Sequence, residues 1–220
     1  MQAREEACQT GLCVLETQVH KARVESLKNS LCYDQSFAVS SSGRSDGLCL
    51  FWKNNTRVEI LPYSQYHIDA IVTENGREPR RLKCVYEEAQ TAERHKTWEM
   101  LKFIKGSSHL PWVGIGNFNE VLHRDEHMGC KIGAMLKLQA FCEVVDVCGL
   151  YNLGYQGWKW TFEKKIAGGL FCRVRLDRAL TDWCLRFLQA RVSHLTATAL
   201  DHEPIHFHSK SNGMNRMIQR

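Results

Sequence analysis

The sequence predicts an α+β fold of layered sheets, and three observations carry that expectation. Short apolar runs with period-two alternation recur along the chain. A few longer segments show helical periodicity, and strands and helices follow no strict βαβ rhythm. The last point argues against a doubly wound parallel sheet, where crossover helices alternate regularly with strands.

Taken in order, GLCVLE (residues 11–16) reads as the opening strand, and Lys21 to Leu31 as a helix with Val24 and Leu27 facing inward. SFAVS (36–40), GLCLFW (47–52), TRVEIL (56–61), YHIDAIVT (66–73) and RLKCVY (81–86) follow as strands, with KNN (53–55) placed like a tight hairpin turn. TAERHKTWEMLKFIK (91–105) puts Trp98, Leu101 and Ile104 on one helical face behind Thr91 as N-cap. WVGIG (112–116) is a short buried strand. A helix from Ala134 to Leu150 buries Met135, Leu138, Phe141, Val145 and Cys148. WKWTF (158–162), VRLDRAL (174–180) and RVSHLT (191–196) complete the strands, with a short helix over Asp182 to Ala190 after Thr181. SKSNGMNRMIQR (209–220) has no periodicity and reads as a basic tail or linker.

With 220 residues, 44% of them hydrophobic and 24% charged, the chain can bury one sizeable core, so a single domain over 1–208 is expected. It contains no run of about 18 apolar residues. The start, MQAREEACQTG, is polar and acidic rather than basic then apolar. A soluble intracellular protein with no membrane partner is the expectation. The ten cysteines are scattered singly and form no C-x-x-C pair, which points away from a zinc ribbon and toward small buried thiols in a reducing compartment. A net charge of +5 permits a polyanionic partner without requiring one.

Polar residues gather at strand ends. Glu16 closes GLCVLE, Tyr86 closes RLKCVY, Asn117 and Asn119 follow WVGIG, Asp177 lies inside VRLDRAL, and Asp201 with His202 follows RVSHLT. Carboxylates and amides are hard oxygen ligands that suit Mg²⁺, and a His with an Asp partner can hold charge against a phosphate. Each residue alone also has a plain structural reading: a solvated strand end for Glu16, a turn for Asp-His before Pro, an Asx-turn for NFN.

The order of these blocks is more specific. LCVLETQVH, GRSDGLCLFWKNN, YHIDAIV, TAERHKTWEMLKFI, LPWVGIGNFNEVLHRDEHMG, RVRLDRALTDWCLRF and LDHEPI together resemble the endonuclease/exonuclease/phosphatase superfamily, and more closely the endonuclease domain preceding reverse transcriptase in plant LINE-type non-LTR retrotransposons. That resemblance implies a four-layer αββα sandwich of two mixed sheets flanked by helices, Mg²⁺ (or Mn²⁺) as cofactor, and hydrolysis of a DNA phosphodiester to leave a 3′-hydroxyl. It implies Glu16 and Asp201 at the metal, Tyr86 at the scissile phosphate, and Asn119 positioning phosphate and attacking water. Asp177 would support His202, which would stabilise the phosphate. A nuclear, monomeric protein, formerly joined to a reverse transcriptase, is implied with them.

The chain also departs from the pattern. Asn117 stands where the family has the aspartate that orients and deprotonates the water; an amide is nearly isosteric but carries no charge and takes no proton. The family's first strand, with its W-N block, has no counterpart, Glu87 replaces Gly after the tyrosine, and Leu200 replaces the serine of S-D-H. Impaired activity is therefore expected. The alternatives are a catalytically inactive nucleic-acid-binding remnant and a chain that does not fold stably. Zinc held by His194, His202, His206 and His208 is a remote further option, without cysteines at ligand spacing. Basic clusters at Arg80, Arg81 and Lys83, at Lys164 and Lys165 near Trp158 and Trp160, and at Arg173, Arg175 and Arg178 are the candidate DNA contacts, with Arg173 and Arg175 expected on one strand face.

Overall fold

The computed structural model describes residues 11–14, 27–39, 47–86, 94–107, 109–129, 135–182, 190–195, 202 and 205–208. The fold is mixed α+β with two main sheets and few helices, as the sequence predicts, and the chain forms two compact units, Met1–Asn119 and Glu120–Arg220.

In the first unit, β1 (Gly11–Val14), β2 (Gln35–Val39) and β3 (Leu48–Trp52) make an antiparallel sheet in the order β1-β3-β2. Next come β4 (Thr56–Ile60), β5 (His67–Glu74) and β6 (Arg80–Tyr86), antiparallel neighbours, and then helix α1 (Arg94–Ser107). The helix is the crossover that brings β7 (Trp112–Asn117) back parallel to β6. Leu101 and Ile104 of α1 are buried as expected. Thr91, the expected cap, lies outside the described residues.

The KNN turn is tight, with the Thr56 N–H donating to the Lys53 carbonyl at 3.0 Å, yet it does not close a hairpin. β3 and β4 belong to different sheets, and the turn passes the chain from one layer to the other. The reason lies in the two patterns. β3 is apolar on both faces and must be covered on both. Leu48 and Leu50 pack against Ile68, Ala70, Cys84 and Tyr86 of the neighbouring sheet, while Cys49 and Phe51 pack with Tyr33. β4 alternates buried and exposed residues and serves as a half-solvated edge.

The second unit contains β8 (His127–Met128), α2 (Met135–Val147), β9 (Tyr151–Asn152), β10 (Phe162–Lys165), β11 (Phe171–Val174), β12 (Asp177–Thr181), β13 (Arg191–His194) and β14 (Ile205–His208). β10, β11 and β8 form one antiparallel sheet, β12 pairs with β9, and β13 with β14. Phe141, Val144, Val145 and Cys148 line the buried face of the α2 segment. The helix stops at Gly149, whose φ of 61° closes a Schellman motif: Gly149 N–H donates to Asp146 O at 2.8 Å and Leu150 N–H to Val145 O at 2.9 Å.

Two expected strands are corrected. Within WKWTF only Phe162 is strand; the Trp158 carbonyl accepts from His194 Nδ1 instead of entering a ladder. VRLDRAL breaks at Arg175–Leu176, because the Arg175 N–H goes to the Glu126 carbonyl and those of Leu176 and Asp177 go to the Thr161 hydroxyl. The helix expected over 182–190, most of that over 21–31, and the tail lie outside the described residues. Among the described cysteines, Cys13, Cys32, Cys49, Cys84, Cys142 and Cys148 are thiols outside any disulfide, whereas Cys172 on β11 is disulfide-bonded, an exception to the expectation of thiols. Among the described residues no helix is long and apolar enough to cross a membrane.

Candidate active site

In the first unit the parallel pair β6–β7 places Tyr86 and Asn117 as register partners at the carboxyl ends of their strands. Alternate residues share a face, so Tyr86 lies on the side of Cys84, toward β3, and Asn117 on the side of Ile115. Gly116, just before, has a φ of 141° that a side chain would resist. Asn117 is 2% exposed, and its Oδ1 accepts the Asn119 N–H at 2.8 Å. NFN is thus an Asx-turn, with Asn119 at φ 48°, a conformation asparagine tolerates. The turn uses only the side-chain oxygen, which aspartate also has. Local geometry therefore accommodates the amide, while the negative charge is missing.

In the second unit Asp177 opens β12 and is buried. Its Oδ2 lies 3.0 Å from His202 Nδ1, so the two residues paired by the sequence reading are hydrogen-bonded. The carboxylate accepts, so Nδ1 carries the proton and Nε2 is the acceptor of the neutral ring; protonation makes the imidazole a cation paired with Asp177. Glu16 and Asp201, expected at a metal, and Glu87 and Leu200 lie outside the described residues. Among the described residues no group of three or more His, Cys, Asp or Glu side chains could hold a metal ion, so these residues alone do not fit a Mg²⁺ centre. The zinc alternative finds no such cluster either. His194 is buried, hydrogen-bonded to the Trp158 carbonyl, stacked on Tyr155 with centroids 4.6 Å apart, and held below the ordinary imidazole value by burial.

The basic clusters are largely internal. Arg81 makes a two-pronged pair with Asp69 (2.8 and 2.7 Å), Lys83 lies 3.6 Å from the same carboxylate, and Arg80 and Arg77 both bind Glu74. Arg175 and Arg178 converge on buried Glu126, at 2.6 and 3.1 Å, and Arg178 also donates to the carbonyls of Glu120 and Arg175. Burial pushes the Glu126 carboxyl up, but Arg178, the Leu122 N–H and Arg175 hold it below the usual carboxylate range. The expectation that Arg173 and Arg175 share a phosphate-facing strand is corrected: the break after Val174 turns Arg175 inward. Arg173 pairs with Glu163 and lies beside Trp158 and Phe171, while Lys164 and Lys165 are exposed. Sequence reasoning missed Glu126 as a hub; a lone glutamate in RDE carries no periodic signal.

No protein-family model matches this chain, and no curated protein matches it. Solved structures do. The endonuclease domain of TRAS1, a telomere-specific non-LTR retrotransposon, superposes with a TM-score of 0.64 at 14% identity, covering 90% of this chain and 98% of that one. The 3′-5′ exonuclease NExo from Neisseria meningitidis also gives 0.64 at 14% identity, with 91% and 89% covered. An AP endonuclease from Archaeoglobus fulgidus gives 0.67 at 15% identity, with 93% and 90% covered. The chain therefore has the fold of these endonuclease/exonuclease/phosphatase superfamily proteins.

Proposed function

We propose that this chain is a DNA endonuclease domain of retrotransposon origin, a metal-dependent phosphodiesterase whose activity Asn117 attenuates. The Asp177–His202 hydrogen bond carries this reading: a buried carboxylate that fixes the tautomer of a histidine equips that histidine to stabilise charge developing on a phosphate. Further support comes from the fold shared with DNA-processing proteins, among them a retrotransposon endonuclease domain. In this reading Tyr86 and Asn119 contact the phosphate, and Asn117 holds the attacking water in place by hydrogen bonding without taking its proton. Mg²⁺, or Mn²⁺, would be held by Glu16 and Asp201 and would supply charge neutralisation at the phosphate. DNA is the proposed substrate and the chain acts as a monomer; a nuclear site and a former reverse transcriptase neighbour belong to the same proposed ancestry.

The test is Mg²⁺-dependent nicking of supercoiled plasmid by the parent, by Asn117→Asp and by Asn117→Asp/His202→Ala. The single variant restores a general base and is expected to nick about 10²- to 10⁴-fold faster than the parent. Adding His202→Ala should abolish that gain. Folded protein that nicks in neither form would defeat the nuclease reading and favour an inactive nucleic-acid-binding remnant.

A further inference from the structure

Both members of the Asp177–His202 pair are held by one dipeptide. Thr161 is fully buried, and its N–H donates to the carbonyl of Val174, the last residue of β11, at 3.1 Å. Its Oγ1 accepts the N–H groups of Leu176 and Asp177, each at 2.9 Å. One threonine thus spans the break between β11 and β12 and fixes the backbone from which Asp177 projects. The next residue, Phe162, pairs with Val174 on one side and is bridged to His202 on the other. Its ring lies 5.0 Å from the imidazole at an interplanar angle of 55°.

We propose that Thr161 and Phe162 are positioning residues that set the Asp177–His202 hydrogen bond, Thr161 by aiming the carboxylate and Phe162 by aiming the imidazole. The two anchors are adjacent in sequence, so a shift of either member relative to the other must distort the start of β10. The consequence for catalysis rests on the nuclease reading above; the positioning does not. Valine at 161 keeps the shape of threonine but removes the acceptor, leaving two buried N–H groups to find other partners and freeing the Asp177 backbone to rotate. Serine keeps the acceptor. Leucine at 162 keeps the backbone bridge and loses the ring contact.

The experiment follows the imidazole ¹⁵N signals of His202 in the full chain, with chelator present, at about pH 8.5, well above the ordinary imidazole value. They are assigned by their loss in His202→Gln. The parent should show the Nδ1–H tautomer, and Thr161→Ser should keep it. Thr161→Val and Phe162→Leu should move the signals toward the Nε2–H form of a free histidine. In the Asn117→Asp background Thr161→Val should lower the nicking rate about tenfold or more with little change in DNA binding. Folded variants that retain the parent tautomer overturn the proposal even if they melt earlier, because a merely structural role would do that. A parent that already shows the Nε2–H form overturns it too. Should Thr161→Val not fold, Phe162→Leu decides by the same signals. Tautomer changes as described, in a protein that never nicks DNA, leave the positioning standing and defeat the nuclease reading instead.

Discussion

Asn117 is a position where one atom separates stability from chemistry. Its oxygen closes the Asx-turn onto Asn119 and the residue is buried, so aspartate there would keep the turn but place a negative charge out of water. Asn117→Asp is expected to lower metal-free stability at pH 8 by about 1–3 kcal/mol. The sign follows from burial, which raises a folded carboxyl above its unfolded value; the loss should shrink as acid protonates the group in both states. Urea unfolding of parent and variant at pH 8 and pH 4 in chelator checks this, and a gap that widens in acid would contradict it. The same residue marks how far sequence reaches. The pairing of Asp177 with His202 was legible from the ordered motif blocks, and the fold brings the two side chains to 3.0 Å. Thr161 was not legible: a buried threonine inside an aromatic stretch looks like any strand residue, and its role depends on a chain break that periodicity cannot show.

Among the elements, long periodic segments are legible in the sequence and joints are not. β3 through β7 and both helices fall within a few residues of expectation, since a buried face imposes its period on the sequence. The KNN turn and the Arg175–Leu176 break differ from expectation because the destination of a strand after a turn is decided by tertiary cover. Helix ends give sharper predictions. The helical turn over residues 27–30 ends in the same Schellman geometry as α2, with Cys32 N–H to Asn29 O at 3.1 Å and Tyr33 N–H to Lys28 O at 3.0 Å. Its left-handed position is filled by Cys32, at φ 58°, rather than glycine. Cys32→Gly should raise stability by about 1 kcal/mol, since an L side chain in that region costs about 1–2 kcal/mol. Gly149→Ala, at the matching position after α2, should lower stability by a similar amount, about 1 kcal/mol. Paired denaturant melts read both, and equal signs for the two variants would refute the shared motif.

For the whole molecule, buried titratable groups on separate elements should combine into an alkaline stability optimum. Lys83, 1% exposed, shares one carboxylate, Asp69, with Arg81; burial pulls its pKa from 10.5 to about 8, against the pull of Asp69. Above pH 8 the folded chain sheds this proton while the unfolded chain keeps it to 10.5, so stability rises with pH through that window, by about 3 kcal/mol over the full span. His67 is lowered from 6.5 to about 4, first by burial and then by Lys83, so stability falls as pH drops from 6.5 toward 4. Glu126 is depressed below its ordinary 4.5 and withdraws its contribution as the pH falls through its folded value. On the alkaline side Cys13, raised well above 9.0 by burial and by Cys84, costs stability once unfolded thiols ionise. The sequence pI of about 8.7 puts the smallest net charge, and the least self-repulsion, in the same range. Melting temperature should therefore peak between about pH 8 and 9 rather than near pH 6. Lys83→Met should flatten the rise above pH 8 and, by removing one of the two main causes that lower His67, also soften the fall in stability between pH 6.5 and 4. A parent that is most stable at pH 5 to 6 would mean that Lys83 keeps its charge in the folded chain, with Asp69 shared between two cations after all.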